Sequence, residues 1–402
     1  MHLLYLLIAL FTTAAVTAQQ GNWVAHIERP DGNNITFTFN WKTENGKPVW
    51  YIKNATDKIR VDNITAVGDS FIVQMPVFES QFRIAVFNNT INGVWIKRGA
   101  VKTHVLRFNA IPGNDRFASS GNPIHTISGR WAVTFGEGSK AESSVAEFVQ
   151  KGNLLTGTFL NVSGDYRYLE GIVTKDSLLL SGFDGGDAYF FKALIKNGNT
   201  ISNGKFYSGG TGKQNWVAVK NSTAKLITES NAMFTKAGQD TLDFTFKNLK
   251  GKPVSIHDNR FKNKVVIIQI MGSWCPNCMD ETAFLSEYYN KNKQRGVEVI
   301  ALAYEYTTDW QRSLNSLKKF QQRFNVQYAI LNTEVTVGDS LKTEKTLPQV
   351  TNIKVFPSSI ILDKKGKIRK LNTDFYGPAT GIHYVAYKKQ FEQTINDLLK
   401  EN

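Results

Sequence analysis

The chain has 402 residues, of which 42% are hydrophobic and 20% are charged, and these ordinary globular values exclude wholesale disorder and a membrane protein with many spans. This length fits two or three domains, each large enough to bury its own core. The formal net charge is +14, but lysine and arginine are scattered singly, as in "TAKLIT", so we expect no nucleic-acid partner.

The N-terminal segment "MHLLYLLIALFTTAAVTAQQ" is an apolar run that ends in small residues. It predicts a signal peptide over residues 1–18, and therefore an exported, periplasmic protein. The alternative is an uncleaved membrane anchor, although the run is slightly short of the roughly 20 residues that span a bilayer. We expect membrane contact only in that second case. Because no cysteine follows the run, we expect no lipid-modified N-terminal cysteine.

Residues 21–224 have a different pattern, in which glycine and asparagine separate alternating runs such as "NITFTFNW". This pattern predicts an all-β domain, an antiparallel barrel or sandwich. Short pieces such as "INGVW" and "LTGTF" recur, and we expect their glycines to let strands approach or bend while the aromatic residues fill the inside of the sheet. A short helix is predicted near "KAESSVAEFV". Residues 225–236 are predicted to be a linker to a second domain, residues 237–402.

The chain contains two cysteines, Cys275 and Cys278, in the stretch "MGSWCPNCMDE". A disulfide between them closes a loop of only a few residues, which restrains little of the unfolded chain. A zinc site needs four ligands, and the six histidines show no paired ligand spacing, so no metal is expected. Redox chemistry is therefore the favoured interpretation.

The residues around the pair indicate how it would react. The β-branched run "KVVIIQIMG" predicts a strand buried on both faces, and helical spacing begins at about Pro276, where a helix accepts proline best. Cys275 would then lie at a helix N-terminus, where the helix dipole favours a thiolate. Cys278 would lie one turn further on. We expect Cys275 to be the solvent-reachable, attacking thiol and Cys278 the resolving one.

This motif resembles the active site of thioredoxin-fold proteins, particularly the exported TlpA/ResA-like thiol-disulfide oxidoreductases. The likeness runs from about Phe234 to Asn402: a hairpin before the strand, "VEVIALAYE" as the next strand, "WQRSLNSLKKFQQRF" as a helix, and "NIKVFPSSIILDKKGKI" as the proline loop and last strands. It implies a C-terminal α/β thioredoxin-like fold. The last helix is expected to pack through one apolar stripe that includes Phe391 and Ile395.

The resemblance also bears on five further residues. Pro357 aligns with the proline that is cis in the family, and Phe356 before it would offer backbone groups to a substrate peptide, although related proteins usually have threonine there. Glu281 matches an acidic residue that could hold the proton of the resolving thiol, but an acid near a helix start is favourable in any case. Gln269 stands where thioredoxins keep a buried aspartate. Trp274 is expected to be a lid beside the disulfide, or simply a core residue.

The leading interpretation is an exported thiol-disulfide oxidoreductase, acting as a reductase on exported proteins that contain disulfides, with a membrane thiol as electron donor. Its redox-active group would be the Cys275 and Cys278 disulfide, with no other cofactor. One alternative is a peroxiredoxin-like thiol peroxidase, but Gly272 occupies the position of the threonine that such enzymes need. Another alternative is a ligand-binding β domain with a redox domain that regulates it.

Overall fold

The computed structural model describes residues 20–226 and 232–401. The predicted signal peptide lies outside the described residues, as does the centre of the predicted linker, residues 227–231. An all-β N-terminal region is followed by an α/β C-terminal region, which confirms the predicted two-domain architecture. Within the two described ranges, no helix is long and apolar enough to cross a membrane.

The first part of the N-terminal region is an antiparallel sheet of nine strands. They are β1 (Gly21–Ile27), β2 (Ile35–Glu44), β3 (Lys47–Asn54), β4 (Asp57–Val61), β5 (Ile64–Val67), β6 (Ser70–Gln74), β7 (Ser80–Phe87), β8 (Thr90–Arg98) and β9 (Thr103–Pro112). Their order is β4-β3-β2-β1-β9-β8-β7-β6-β5. Phe37, Phe39 and Trp41 alternate along β2 and are fully buried in an aromatic core, as the alternating sequence predicts.

The second part is another set of nine antiparallel strands. They are β10 (Gly129–Phe135), β11 (Glu142–Lys151), β12 (Leu154–Asn161), β13 (Gly164–Asp165), β14 (Leu169–Thr174), β15 (Ser177–Phe183), β16 (Ala188–Ile195), β17 (Thr200–Ser208) and β18 (Gly212–Lys220). Their order is β11-β10-β18-β17-β16-β15-β14-β12-β13, and β11 also pairs with β12, which closes the sheet into a barrel. Phe159, Phe191 and Trp216 fill its interior.

The helix predicted near "KAESSVAEFV" is wrong, because this segment forms β11 after a single 3-10 turn at Gly138–Lys140. Strand β11 pairs with β10 on one side and β12 on the other. Ala146 and Phe148 point into the barrel with the two-residue period of a strand. Pairing on both edges therefore outweighs the local preference of alanine and glutamate for a helix.

The recurring glycine and aromatic pieces behave as the sequence predicts. A Cβ atom at Gly93 would lie 2.0 Å from the Arg83 carbonyl oxygen, and one at Gly157 would lie 2.2 Å from the Glu147 carbonyl oxygen. Only glycine permits such close approach of neighbouring strands. The aromatic residue that follows Gly157, Phe159, is fully buried in the barrel.

The C-terminal region is a seven-stranded sheet with helices packed against it. The strands are β19 (Thr245–Asn248), β20 (Pro253–Ser255), β21 (Val265–Met271), β22 (Val297–Ala303), β23 (Ala329–Asn332), β24 (Ser358–Leu362) and β25 (Ile368–Asn372). The helices are α1 (Pro276–Asn292), α2 (Trp310–Arg323), α3 (Lys342–Thr346) and α4 (Ile382–Lys400), with 3-10 turns at Asn259–Phe261, Lys293–Arg295 and Pro378–Thr380.

This sheet places β21 at the centre of a thioredoxin-like fold. Its order is β20-β19-β23-β22-β21-β24-β25, with β21, β22 and β23 parallel and β24 antiparallel to β21. Every residue of β21 is buried, as the β-branched run predicts. In α4, Phe391, Ile395 and Leu398 are buried along one stripe, as predicted. The two cysteines thus lie where the chain passes from the end of β21 into the start of α1.

Candidate active site

Cys275 is the N-cap residue of α1 and Pro276 is its first residue, so the predicted position of the pair is confirmed. The backbone N–H of Cys278 donates a hydrogen bond to the Cys275 sulfur at 3.2 Å. A side chain at this position satisfies an N–H group that has no partner inside the helix. Both cysteines are free thiols, and burial is the main cause that raises the pKa of Cys278 well above its usual value.

The loop before β24 lies against the attacking sulfur. The Cys275 thiol donates to the Phe356 carbonyl oxygen at 3.4 Å, and the peptide bond between Phe356 and Pro357 is cis, as the resemblance implies. Phe356 is 9% exposed, and its ring packs 5.5 Å from the Trp274 ring and 5.7 Å from the Tyr304 ring, measured between centroids. The structure therefore brings Phe356 and Pro357 to Cys275.

Trp274 is fixed beside the pair by its neighbours. Its ring stacks on Tyr306 with centroids 5.1 Å apart, and its indole N–H donates to the Tyr304 carbonyl oxygen at 2.8 Å. A Cβ atom at Gly272 would lie 2.1 Å from the indole nitrogen. Residue 272 must therefore be glycine for Trp274 to occupy this place, and the threonine of a peroxidase site does not fit here.

Glu281 lies in the interior between α1 and β21, with 1% of its surface exposed. Its carboxylate accepts hydrogen bonds from the Gln269 amide at 2.9 Å and from the Tyr387 hydroxyl at 3.1 Å. Burial raises the pKa of Glu281 to about 7 in spite of these two donors. The charge of Glu281 is also a minor cause of the raised pKa of Cys278. The arrangement can hold a proton near neutral pH.

A second buried carboxylate, Glu305, belongs to the site and was not found from the sequence. It accepts hydrogen bonds from the backbone N–H of Ser273 at 2.8 Å and from the Ser273 hydroxyl at 2.6 Å. Burial raises the pKa of Glu305 to about 7. Its position just after β22, the parallel neighbour of β21, is the signal that could have identified it, because the carboxyl ends of parallel strands meet at one edge.

The expectation that Cys275 is solvent-reachable is not met, since it is only 4% exposed, against 0% for Cys278. The N-terminal region covers the site. In the β6–β7 loop, residues 75–79, Val77 and Phe78 are buried in the same apolar cluster as both cysteines. Phe78 also lines a cavity of about 20 Å³ together with Trp274 and Glu305. Phe78 and Cys275 are about 200 positions apart in the sequence, so no local sequence pattern predicts that they are buried in the same cluster.

The N-terminal region also contacts the first turn of α1. The Asn277 side-chain amide donates to the Asp165 carbonyl oxygen at 3.1 Å, and a Cβ atom at Gly164 would lie 2.3 Å from the Asn277 amide nitrogen. Arg167 forms hydrogen bonds of 3.0 Å to each carboxylate oxygen of Asp280. Within residues 20–226 and 232–401, no group of three or more histidine, cysteine or acidic residues is arranged to hold a metal ion.

The similarity of this chain to known proteins lies in its C-terminal region. Residues 236–378 match the protein family described as Redoxin. The chain is also similar to proteins named thiol-disulfide oxidoreductase ResA. The protein from Bacillus thuringiensis subsp. konkukian is 29% identical over 131 residues, which are 33% of this chain and 66% of that protein. The protein from Geobacillus thermodenitrificans is 25% identical over 150 residues, 37% of this chain and 75% of that protein.

Solved structures also show similarity to part of this chain. One is the thioredoxin domain of a thiol-disulfide oxidoreductase from Bacteroides vulgatus, with 24% identity and a TM-score of 0.29, covering 39% of this chain and 99% of that one. Another is a thiol:disulfide interchange protein from Chlorobium tepidum, with 16% identity and a TM-score of 0.30, covering 41% of this chain and 99% of that one. The chain spans 66% of the length of the first ResA relative described above.

Proposed function

We propose that this protein is an exported thiol-disulfide oxidoreductase that reduces disulfides in partner proteins. The supporting observation is the position of Cys275 at the N-terminus of α1, with Cys278 one turn inside and the Phe356 carbonyl oxygen against the sulfur. The similarity to proteins named thiol-disulfide oxidoreductase ResA supports the same reaction. The N-terminal apolar segment, residues 1–18, supports export to the periplasm.

The reaction proceeds in two exchanges. The Cys275 thiolate attacks one sulfur of a partner disulfide, forms a mixed disulfide and releases the other partner sulfur as a thiolate. Cys278 then loses its proton, which the Glu281 carboxylate can accept, and its sulfur attacks Cys275. The second partner thiolate leaves, so the partner gains two electrons and the Cys275 and Cys278 pair becomes a disulfide. A membrane thiol donor would return the two electrons.

A thiol peroxidase is the competing reaction, and the packing at Gly272 argues against it. A threonine at this position would place its Cβ within 2.1 Å of the Trp274 indole nitrogen. The Trp274 ring therefore occupies the space that the side chain of this threonine would need, and the hydroxyl that activates a peroxide in such enzymes is absent at Gly272. Cys278 supplies instead the resolving thiol that disulfide exchange needs.

An insulin reduction assay tests this proposal against the alternative. With a chemical thiol as electron donor, we expect the wild-type protein to precipitate insulin chains and Cys275→Ser to be inactive. Hydrogen peroxide consumption is measured in parallel with the same proteins. Rapid loss of peroxide without insulin reduction would favour the peroxidase. Cell fractionation, with an antibody against the full chain, tests export separately.

A further inference from the structure

Cys275 is almost fully buried, and Phe78 of the β6–β7 loop lines one cavity with Ser273 and Trp274, the two residues before Cys275. An attacking sulfur must meet the partner's sulfur directly, because exchange proceeds through a mixed disulfide between them. Cys275 is 4% exposed, and Val77 and Phe78 of the β6–β7 loop pack in the apolar cluster that contains it. Val77 is 1% exposed and Phe78 is 5% exposed. These two side chains leave their own sheet and are buried in the C-terminal region.

A first polar contact holds the N-terminal region on α1. The Arg167 guanidinium binds both oxygens of Asp280 on α1, and it also lies 3.4 Å from Asp184 and 3.9 Å from Asp57, both in the N-terminal region. The Arg167 side chain is 12% exposed and that of Asp280 is 10% exposed. Loss of one partner from such a buried group leaves the other charges uncompensated, so removal of either Arg167 or Asp280 is expected to be costly.

The backbone around Arg167 is shaped for this contact. Arg167 has a φ of 54°, which is unusual for a residue with a long side chain, and its N–H donates to the Asp165 side chain at 2.7 Å. The other oxygen of the Asp165 carboxylate accepts from the N–H of Gly377 in the C-terminal region at 2.6 Å. The same carboxylate therefore fixes the Arg167 loop and ties it to the loop before α4.

A second polar contact lies at the end of the β6–β7 loop, at Glu79, the residue after Phe78. Arg312 of α2 donates to both carboxylate oxygens of Glu79, at 2.5 to 3.0 Å, and Arg312 also donates to the Gly99 carbonyl oxygen at 2.9 Å. Paired hydrogen bonds between arginine and a carboxylate fix orientation as well as distance. The Ser316 hydroxyl adds a hydrogen bond of 3.3 Å to Glu79.

We propose that the β6–β7 loop and Arg167 form an intramolecular cap over the Cys275 site, and that a substrate protein must displace this cap before exchange. The cap occupies the surface beside Trp274 and the first turn of α1 that a protein substrate would contact. The structure is thus the closed, resting form of the enzyme. This inference rests on the proposed function for its physiological meaning, but access to Cys275 can be measured without any enzymatic activity.

The test compares two maleimides of the same chemistry and different size. The reduced full-length protein is labelled with N-ethylmaleimide or with maleimide attached to a long polyethylene glycol, and labelled Cys275 is quantified by mass. Both rates are divided by the corresponding rates for glutathione. The labelling rate with the large reagent is then divided by the rate with the small reagent. Because both rates are proportional to the thiolate fraction of Cys275, this ratio does not depend on that fraction. We expect this ratio to be at least about tenfold lower for the wild type than for glutathione, because the cap excludes the large reagent.

Two variants open the cap at different contacts. Arg167→Met keeps the stem and removes the charge, and Glu79→Gln removes the charge paired with Arg312. We expect each to raise the rate of labelling by the large reagent at least about tenfold, since each loses a charge-assisted pair. Arg60→Met is the matched control, because Arg60 forms a more exposed ion pair with Glu44 within the first sheet.

A variant that fails to fold is recognised by the loss of its far-ultraviolet circular dichroism signal. If Arg167→Met fails to fold, the labelling rate of Glu79→Gln decides the result, because the Glu79 side chain is partly exposed. The cap is refuted if the wild type labels with the large reagent as readily as glutathione does, or if neither folded variant labels faster than Arg60→Met. Failure of the insulin assay would refute the proposed function and leave these labelling rates interpretable.

Discussion

The side-chain amide of Gln269 donates a 2.9 Å hydrogen bond to the Glu281 carboxylate in the interior between β21 and α1. An amide at this place carries no charge, so Glu281 titrates without an acidic neighbour on β21. Burial raises the pKa of Glu281 to about 7, and Tyr387 supplies the second hydrogen bond to the carboxylate. The carboxyl group can therefore exchange a proton near neutral pH, one turn of helix from Cys278.

Replacing Glu281 by Gln should slow resolution of the mixed disulfide. The wild-type rate is expected to rise as pH passes about 7, because Glu281 becomes ionised and can accept the Cys278 proton. Loss of a general base typically slows a step about 100-fold or more. The measurement is release of a fluorescent thiol from a mixed disulfide on Cys275 between pH 6 and 9.

The control for this experiment is Glu287→Gln, because Glu287 lies on the same helix and forms an exposed pair with Lys291. Its pH profile should match the wild type. If the Glu281→Gln profile also coincides with the wild type, Glu281 has only a structural role. A shift of the profile without loss of rate would mean that Glu281 alters the pKa of Cys278 without accepting its proton.

Stability should depend on pH through the second buried acid, Glu305. Its pKa is raised from 4.5 to about 7 in the folded protein, so the folded state binds the proton more tightly than the unfolded state. The resulting stabilisation is complete below about pH 4.5 and is lost as pH rises through about 7. The shift corresponds to about 3 kcal/mol in the free energy of unfolding.

Urea unfolding of the reduced protein at pH 5 and pH 8 measures this effect. Glu305→Gln should lose less stability than the wild type between the two pH values, since Gln does not titrate. The exposed acid Glu334 gives the control Glu334→Gln. Equal pH dependence in the wild type and Glu305→Gln would show that Glu305 titrates normally in the folded state.

The active-site strand, turn and helix could be predicted because their signals are local. Every residue of β21 is buried, and the β-branched run in its sequence predicts this burial. Pro276 marks the start of α1, which places Cys275 at the N-cap. The glycine and aromatic pieces of the N-terminal region also predict where strands approach closely, as at Gly93, and which aromatic residues are buried, as at Phe159.

The contacts that the sequence did not reveal join distant parts of the chain. Arg167 and Asp280 are 113 residues apart, and Glu79 and Arg312 are 233 residues apart. Neither arginine differs from a surface residue in its local sequence. The strand β11 was missed for the same reason, because its two edges are paired with β10 and β12 and only tertiary pairing outweighs its helical composition.

Adding a side chain at Gly272 should displace Trp274. In Gly272→Ala the new Cβ would lie 2.1 Å from the indole nitrogen, so the ring must leave Tyr306 and lose its hydrogen bond to the Tyr304 carbonyl oxygen. We expect a loss of about 1–3 kcal/mol in the free energy of unfolding, as in other overpacked cores. Urea unfolding and tryptophan fluorescence measure the two effects.

Gly338→Ala is the matched control for this substitution, because nothing lies within 4 Å of a Cβ at Gly338. It should leave stability almost unchanged. The clash predicts coupling as well: in a Trp274→Ala background, Gly272→Ala should lose most of its effect. Additive effects of the two substitutions would place the cause elsewhere than in contact between them.

The order of attack predicts which variant traps partner proteins. Cys278→Ser leaves the mixed disulfide on Cys275 with no internal thiol to release it, and the chain has no other cysteine that could substitute. Covalent complexes with exported proteins should therefore accumulate in Cys278→Ser and not in Cys275→Ser. Non-reducing gels of the tagged variants from the exported fraction, followed by mass spectrometry, identify the partners.

The cap adds a second expectation: Glu79→Gln combined with Cys278→Ser should trap more partner protein than Cys278→Ser alone, whereas Arg60→Met with Cys278→Ser should not. Equal trapping by the two cysteine variants would contradict the assigned roles of Cys275 and Cys278, and trapping by neither would favour a substrate too small to be captured.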